Sequence, residues 1–386
     1  MPKEIKILSI CFFIIFFTYN GVQQFLTSYF SELGMVRIGF WSLIIIYFFL
    51  LITNLFSGFI VSKFGTKKSL IFGGIFYSLF IFSLSSGNLP FIFLTSALLG
   101  FGAAILWTAQ GALLIKTSSN NSFGKNSGFF NTFFQLGTVA GVVIAGILIT
   151  KFSFKNSFLL LGFFPLIASI FFAKFKEVAV KQANLSQSFV SLKKLVKNSY
   201  FLKIALTWFS SSLVLASVAG RFPLEIKEHF NLLSIGFILP IFYFLPIIFS
   251  YYFGKKSDIK GRNIFLIFSL ILISAGFLLF AVREGFNLNF SLFILSFLLI
   301  SFGYAIFASI KFAILGDISS ENNLENIVAL FNLFGNLGFV IVFLLDIYLP
   351  PVFVYFSSFG IALVSLIIVL PVLKLNMSVI KEKLNS

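Results

Sequence analysis

Three pairs of amide side chains stand four residues apart: Asn20/Gln24, Asn131/Gln135 and Asn332/Asn336. That spacing puts both members of a pair on one helical face. A carboxamide donates and accepts, so such a face can hold a polar solute or bind a neighbouring helix. Gln23, Asn54 and Gln110 add to the set. Trp107 and Thr108 stand just before Gln110 in the stretch GAAILWTAQGALLIK, residues 102–116. The indole offers stacking to an aromatic or amphipathic solute, although lipid contact accounts for most of the aromatic residues. Two cations, Arg221 and Lys311, fall inside apolar runs. A cation there without a nearby acid points to an anionic ligand, to a lysine kept neutral by burial, or to a side chain that snorkels to the headgroups. None of the twelve acids falls near the middle of an apolar run, whereas proton-driven symporters usually need a titrating group there.

Hydrolytic and redox chemistry finds no support. The single cysteine, Cys11, and the single histidine, His229, allow no disulfide and no Cys/His metal site within one chain. Cys11 reads as a small apolar filler and His229, beside Glu228, as a surface residue. The stretch GFGAAI lacks the third glycine of a dinucleotide loop, and GKKS (254–257) lacks the upstream spacing of a phosphate loop. No Ser/His/Asp set and no paired carboxylates appear. The chain reads as a non-enzyme, with no metal and no cofactor.

These side chains must be carried by membrane helices. Hydrophobic residues make up 59% of the 386, charged residues only 10%, and the mean hydropathy is +1.05. Soluble chains are nearer half apolar and a quarter charged. A span needs about 20 apolar residues. Breaking the chain at its charged and Gly/Pro/Asn gaps predicts twelve spans. They are 7–31, 38–62, 69–86, 91–115, 126–150 and 156–173, then 201–224, 232–254, 264–282, 291–316, 324–347 and 350–373. The first is too long for a signal sequence and has no cleavage site before Glu32.

The net charge of +16 comes from basic residues in the short gaps between spans, which excludes nucleic acid as the reason for it. With both ends inside, 22 of the 28 Lys and Arg fall on the inner side and 6 outside, so the expectation is a multi-pass plasma membrane protein with cytoplasmic termini. The expected organisation is a six-helix half at 1–173, a cytoplasmic linker at 174–200, a second half at 201–373 and a tail at 374–386. The linker holds SFVSLKKLVK, whose apolar stripe suits either a helix lying on the membrane surface or a solvated connector.

The two halves repeat. At an offset of 201, GFGAAILWTAQGALLIKTSSNN lies over SFGYAIFASIKFAILGDISSEN. Thr108 then meets Ser309, Gln110 meets Lys311, Asn131 meets Asn332, and Gln135 meets Asn336. At an offset of 196, Gly58, Ser62 and Gly65 meet Gly254, Asp258 and Gly261. Parallel six-span repeats place a paired ligand site at their seam.

Gly58, Ser62, Lys63, Gly65, Lys67 and Lys68, with Gly254, Asp258, Gly261 and Arg262, resemble the G-x-x-x-D-[RK]-x-G-[RK]-[RK] loop motif of the major facilitator superfamily. The stretches 100–114 and 124–137 are similar to its Unc (uncoordinated) ninety-three-like branch. The resemblance implies twelve transmembrane helices in two pseudo-symmetric halves that rock about a central cavity. Its first, fifth and eleventh spans, which carry the amide pairs, would line that cavity. It also implies that the loop acid caps a neighbouring helix and locks the inner gate. Ser62 replaces the acid in the first copy and can cap only without charge.

The expected function is secondary active or facilitative transport of a small solute, with an anion among the candidates, by a monomer in the lipid bilayer. The ligand residues would be Asn20, Gln24, Trp107, Thr108, Gln110, Asn131, Gln135, Arg221, Lys311, Asn332 and Asn336. The acidic inner loop, Asp317, Glu321 and Glu325, is expected to pair with Lys63, Lys67 and Lys68 and to favour the outward-open state. The alternative implied by the resemblance is a non-transporting membrane chaperone or channel regulator.

Overall fold

A computed structural model describes residues 2–117, 123–175, 196–318 and 324–373. Among the described residues there are thirteen helices and no strands. In the first half they are α1 (Lys3–Gln23), α2 (Leu26–Glu32), α3 (Val36–Phe64), α4 (Thr66–Ser86), α5 (Leu89–Thr117) and α6 (Phe123–Phe172). The second half holds α7 (Ser199–Ala219), α8 (Arg221–His229), α9 (Leu232–Lys260), α10 (Arg262–Phe286), α11 (Phe290–Ile318), α12 (Leu324–Tyr348) and α13 (Pro351–Leu373). Long apolar runs must take this form in lipid, because only a helix satisfies every backbone group within its own segment.

Eleven apolar segments among the described residues are long enough to cross a membrane. One of them serves as two. Helix α6 has 50 residues and a non-helical Ser153 (φ 73°, ψ 162°). Unbroken, it would reach about 75 Å, against a hydrocarbon core of about 30 Å. Its packing shows the reversal. Phe16 and Tyr19 of α1 meet Tyr77 and Phe80 of α4 in ascending order, so these helices run the same way. A Cβ on Gly137 would meet Phe13 and one on Gly141 would meet Phe17, so the first arm of α6 runs with α1. On the second arm the order falls: Gly74 faces Ser169, while Ser78 donates to the Gly162 carbonyl at 2.7 Å. The chain therefore turns back at Ser153, at the gap expected between the fifth and sixth spans.

The sequence repeat is a repeat of contacts. Gly137 lies against the Phe13 carbonyl in the first half, and Gly338 against the Phe209 carbonyl in the second. The partners are 196 apart and the glycines 201 apart, the two offsets read from the sequence. Gly73 meets the Gly102 carbonyl in the same way that Gly303 meets the Ser269 carbonyl. Small residues let helices approach to backbone contact, which drives association where lipid is as apolar as the side chains. At the loop motif, Gly65 (φ 89°, ψ 158°) and Gly261 (φ 86°, ψ 141°) take matching left-handed conformations that end one helix and begin the next. A Cβ disfavours that region, which explains the glycine in both copies.

Two compact units result. The first comprises Met1–Leu185 with Ala219–Ile241, the second Ser186–Val218 with Phe242–Ser386. They follow the sequence halves except at α8 and the start of α9. The linker stretch SFVSLKKLVK falls almost entirely outside the described residues.

Candidate functional site

The expected ligand residues of the first unit divide into groups that are spent and groups that are not. Asn20 donates to the Thr138 hydroxyl at 2.6 Å, tying α1 to the first arm of α6. The Thr108 hydroxyl donates to Ser57 at 2.8 Å and lies 2.8 Å from the Ala104 carbonyl, tying α5 to α3. Gln23 donates to the Tyr47 hydroxyl at 3.1 Å. Trp107 is enclosed by Phe12, Phe16 and Phe134, with ring centroids at 5.3, 5.2 and 5.4 Å. Gln24 is 1% exposed. At Asn20, Gln23 and Thr108 interhelical bonding is the observed role, since a polar group at membrane depth that faces no water must be answered by another helix.

Other amides have no such answer. Gln110, Asn131, Gln135, Asn332 and Asn336 make no side-chain hydrogen bond among the described residues. The Gln135 Oε1 is buried without a partner. Asn131 and Asn332 are exposed, and Gln135 and Asn336 half-buried, so the two halves show the same pattern at the same repeat positions. Phe134 and Trp107 are in contact between antiparallel helices, which puts Gln110, one turn along α5, level with Asn131. In the second unit the equivalent aromatic set is Trp208, Phe307 and Phe331, with Trp208 centroids 5.0 and 4.4 Å from the other two. Lys311 follows Phe307 by one turn, is half-buried, and stands where the first half has Gln110. Arg221 lies on α8, with its guanidinium 6.0 Å from the Phe40 ring.

The gating residues are also partly reassigned. Ser62 does not cap a neighbouring helix: its hydroxyl turns back to the Phe59 carbonyl at 2.9 Å, a common bond for serine inside a helix. Gly58, Lys63 and Lys68 are exposed and Lys67 is half-buried. Arg262, at the start of α10, pairs with Asp317, at the end of α11, through its Nε and through Nη2 at 3.4 Å from Oδ1. Asp317 is thus engaged within its own unit. Gly254 and Asp258 lie in α9, and Glu325 lies in α12; the side chains of these two acids, and the whole of Glu321, fall outside the described residues.

Sequence reasoning missed Tyr47, Ser57 and Thr138, the partners of the singled-out residues. It also missed two buried carboxylates near helix ends, Glu225 at 5% and Asp346 at 7% exposure. A tyrosine or threonine inside an apolar run was the available signal, because a buried hydroxyl needs a partner.

The comparisons follow the same lines. The UNC93-like protein MFSD11 of Xenopus tropicalis is 33% identical over 129 residues, 33% of this chain and 29% of that protein. The unc-93 homolog A of Mus musculus is 28% identical over 166 residues, 40% of this chain and 36% of that protein. The match thus spans about a third of the length of these relatives. An uncharacterized MFS-type transporter of Methanocaldococcus jannaschii, MJ1560, is 24% identical over 235 residues, 58% of this chain and 60% of that one. Among solved structures, a peptide transporter POT in complex with sulfate superposes with a TM-score of 0.80 at 12% identity, covering 97% of this chain and 95% of that one. A D-xylose-proton symporter gives 0.78 at 11%, covering 94% and 96%. At such identities the likeness is one of fold. The family model of the Major Facilitator Superfamily matches residues 8–282 and 220–383, so the chain belongs to that superfamily and resembles its UNC93 branch.

Proposed function

We propose that the protein carries a small anionic solute across the plasma membrane by alternating access of its two halves, with both termini in the cytoplasm. The superfamily fold supports transport. The inner excess of Lys and Arg supports the orientation. One observation supports the ligand assignment: at repeat-equivalent positions both halves hold amides that make no side-chain hydrogen bond among the described residues, and Lys311 replaces Gln110 in the second. In this reading Lys311, Asn332 and Asn336 take the charged end of the solute, and Gln110, Asn131 and Gln135 take its neutral polar end. Asn20, Thr108 and Trp107 hold the helices that carry them.

A thermal-shift screen of the purified chain against carboxylates, phosphates, sugars, nucleosides and amino acids tests this. An anion should raise the midpoint, and Lys311→Gln should weaken that anion by about 1.5–3 kcal/mol, the range for a hydrogen bond to a charged group. An anion bound equally by both proteins at pH 6 and pH 8 would refute the assignment. A second reading, a non-transporting membrane chaperone or channel regulator, is favoured by the internal bonds of Asn20 and Thr108 and by the UNC93-like relatives. It predicts no ligand shift from any compound.

A further inference from the structure

Four carboxamides of the first unit make no side-chain hydrogen bond among the described residues: Asn54 on α3, Gln110 on α5, and Asn131 and Gln135 on the first arm of α6. Gln110 is 7% exposed, and the Gln135 Oε1 is buried without a partner. Two contacts gather the four. The Thr108 hydroxyl donates to Ser57 at 2.8 Å. Gln110 stands two residues after Thr108 and Asn54 three before Ser57, so α5 and α3 hold these two amides within about two turns of each other. The Trp107 and Phe134 rings, with centroids 5.4 Å apart, bring Gln110 near the levels of Asn131 and Gln135. The helices here carry no charge: residues 38–62, 69–115 and 126–150 hold no Asp, Glu, Lys, Arg or His. The neighbouring rings are packed on one another, Trp107 on Phe12, Phe16 and Phe134, and Phe129 on Phe133 at 4.6 Å.

We propose that the solute is a hydroxylated carboxylate of the aldonate type, whose hydroxyls are taken by Asn54, Gln110, Asn131 and Gln135. The assignment rests on the anion reading above and adds the class of the solute's neutral end. Each carboxamide offers an acceptor oxygen and a donor nitrogen, so the group that fits it must both donate and accept. A hydroxyl does both at one atom, and a polyhydroxy chain does so at successive carbons. An apolar end would leave the buried Gln135 Oε1 unanswered, which is the costly case for a hydrogen-bonding group. An ammonium end would lose its water with no acid on these helices to pair with it. An aromatic end would have to compete with rings that already pack edge to face. Asn54 thereby becomes a specificity residue on α3, outside the amides that the repeat pairs.

Binding to the purified full chain is measured by isothermal titration at pH 7.5 for four carboxylates of similar length: gluconate, hexanoate, 6-aminohexanoate and N-acetyl-β-alanine. Gluconate should bind about tenfold or more tightly than each of the others, the scale of one or two net hydrogen bonds. Asn54→Leu and Gln135→Leu should each lower the gluconate preference over hexanoate by about fivefold, the loss of one such bond, and either serves if the other does not fold. Lys311→Gln should weaken gluconate and hexanoate alike and leave that preference in place. Hexanoate bound as tightly as gluconate would overturn the proposal and leave the anion reading standing. So would tighter binding of 6-aminohexanoate or N-acetyl-β-alanine, which would put an amine or an amide at this end, or a preference unchanged in both leucine variants. Binding of none of the four would overturn it as well, while the thermal-shift screen tests the anion reading separately.

Discussion

Thr108→Val removes one hydroxyl and keeps the shape of the side chain. The lost bond is the 2.8 Å link to Ser57, between α5 and α3. Ser57 keeps its own bond to the Asn54 carbonyl at 3.1 Å, so the change strands no donor. No desolvation penalty is therefore added, and the loss is that of a single interhelical bond. Such bonds average about 0.6 kcal/mol in membranes and reach about 1.7. The value here should lie in the upper half of that range, because Ser57 is 5% exposed. A double-mutant cycle of Thr108→Val and Ser57→Ala, read by reversible unfolding in mixed micelles, isolates the pair. A coupling of about 1 kcal/mol is expected. If the coupling is below about 0.3 kcal/mol, the usual limit of additivity, the hydroxyl is not glue and the division into spent and unspent groups fails.

Three further outcomes follow from the geometry. Ser153 has φ 73° and ψ 162°, a region that only glycine occupies freely, so Ser153→Gly should raise unfolding free energy by roughly 1 kcal/mol; a loss of stability would show that the serine side chain holds the turn. A Cβ on Gly141 would run into the Phe17 carbonyl, so Gly141→Ala should cost about 1–3 kcal/mol, while Gly58→Ala, with open space around it, should stay within about 0.5, both read by thermal unfolding. The Arg262 and Asp317 side chains are 20% and 32% exposed, so their coupling in a cycle of Arg262→Gln and Asp317→Asn should be about 1 kcal/mol and should shrink in high salt; no coupling at low salt would mean that the pair is incidental.

Much of the fold was legible because the bilayer imposes it. Apolar runs of the right length gave the spans, and the Gly65 and Gly261 positions gave the loop motif. The two offsets anticipated paired contacts such as Gly137 with Phe13 and Gly338 with Phe209. Ser153 shows a limit: the gap was visible, but not that the turn would centre on a serine with φ 73°. The site was legible only in part. An amide in an apolar run signals that it needs a partner, and does not say whether the partner is a ligand or a helix. For Asn20 the answer lay in Thr138, over a hundred residues away, and for Thr108 in Ser57. Gln110 and Lys311 stood out because the repeat aligns them while their chemistry differs. Glu225 did not stand out because it lies near a helix end, where a charged side chain usually meets water, yet it is 5% exposed.

The claim that Lys311 holds the charge of a transported anion is tested most directly by exchange in proteoliposomes. The anion selected by the thermal-shift screen is loaded unlabelled inside, and entry of the labelled anion is measured for wild type and Lys311→Gln at equal reconstitution. Wild type should exchange well above protein-free vesicles, and the variant should need about tenfold or more anion for the same rate, the lower end of the charged hydrogen-bond range. Equal exchange by the two proteins, or none by wild type with an anion it binds, would contradict the account.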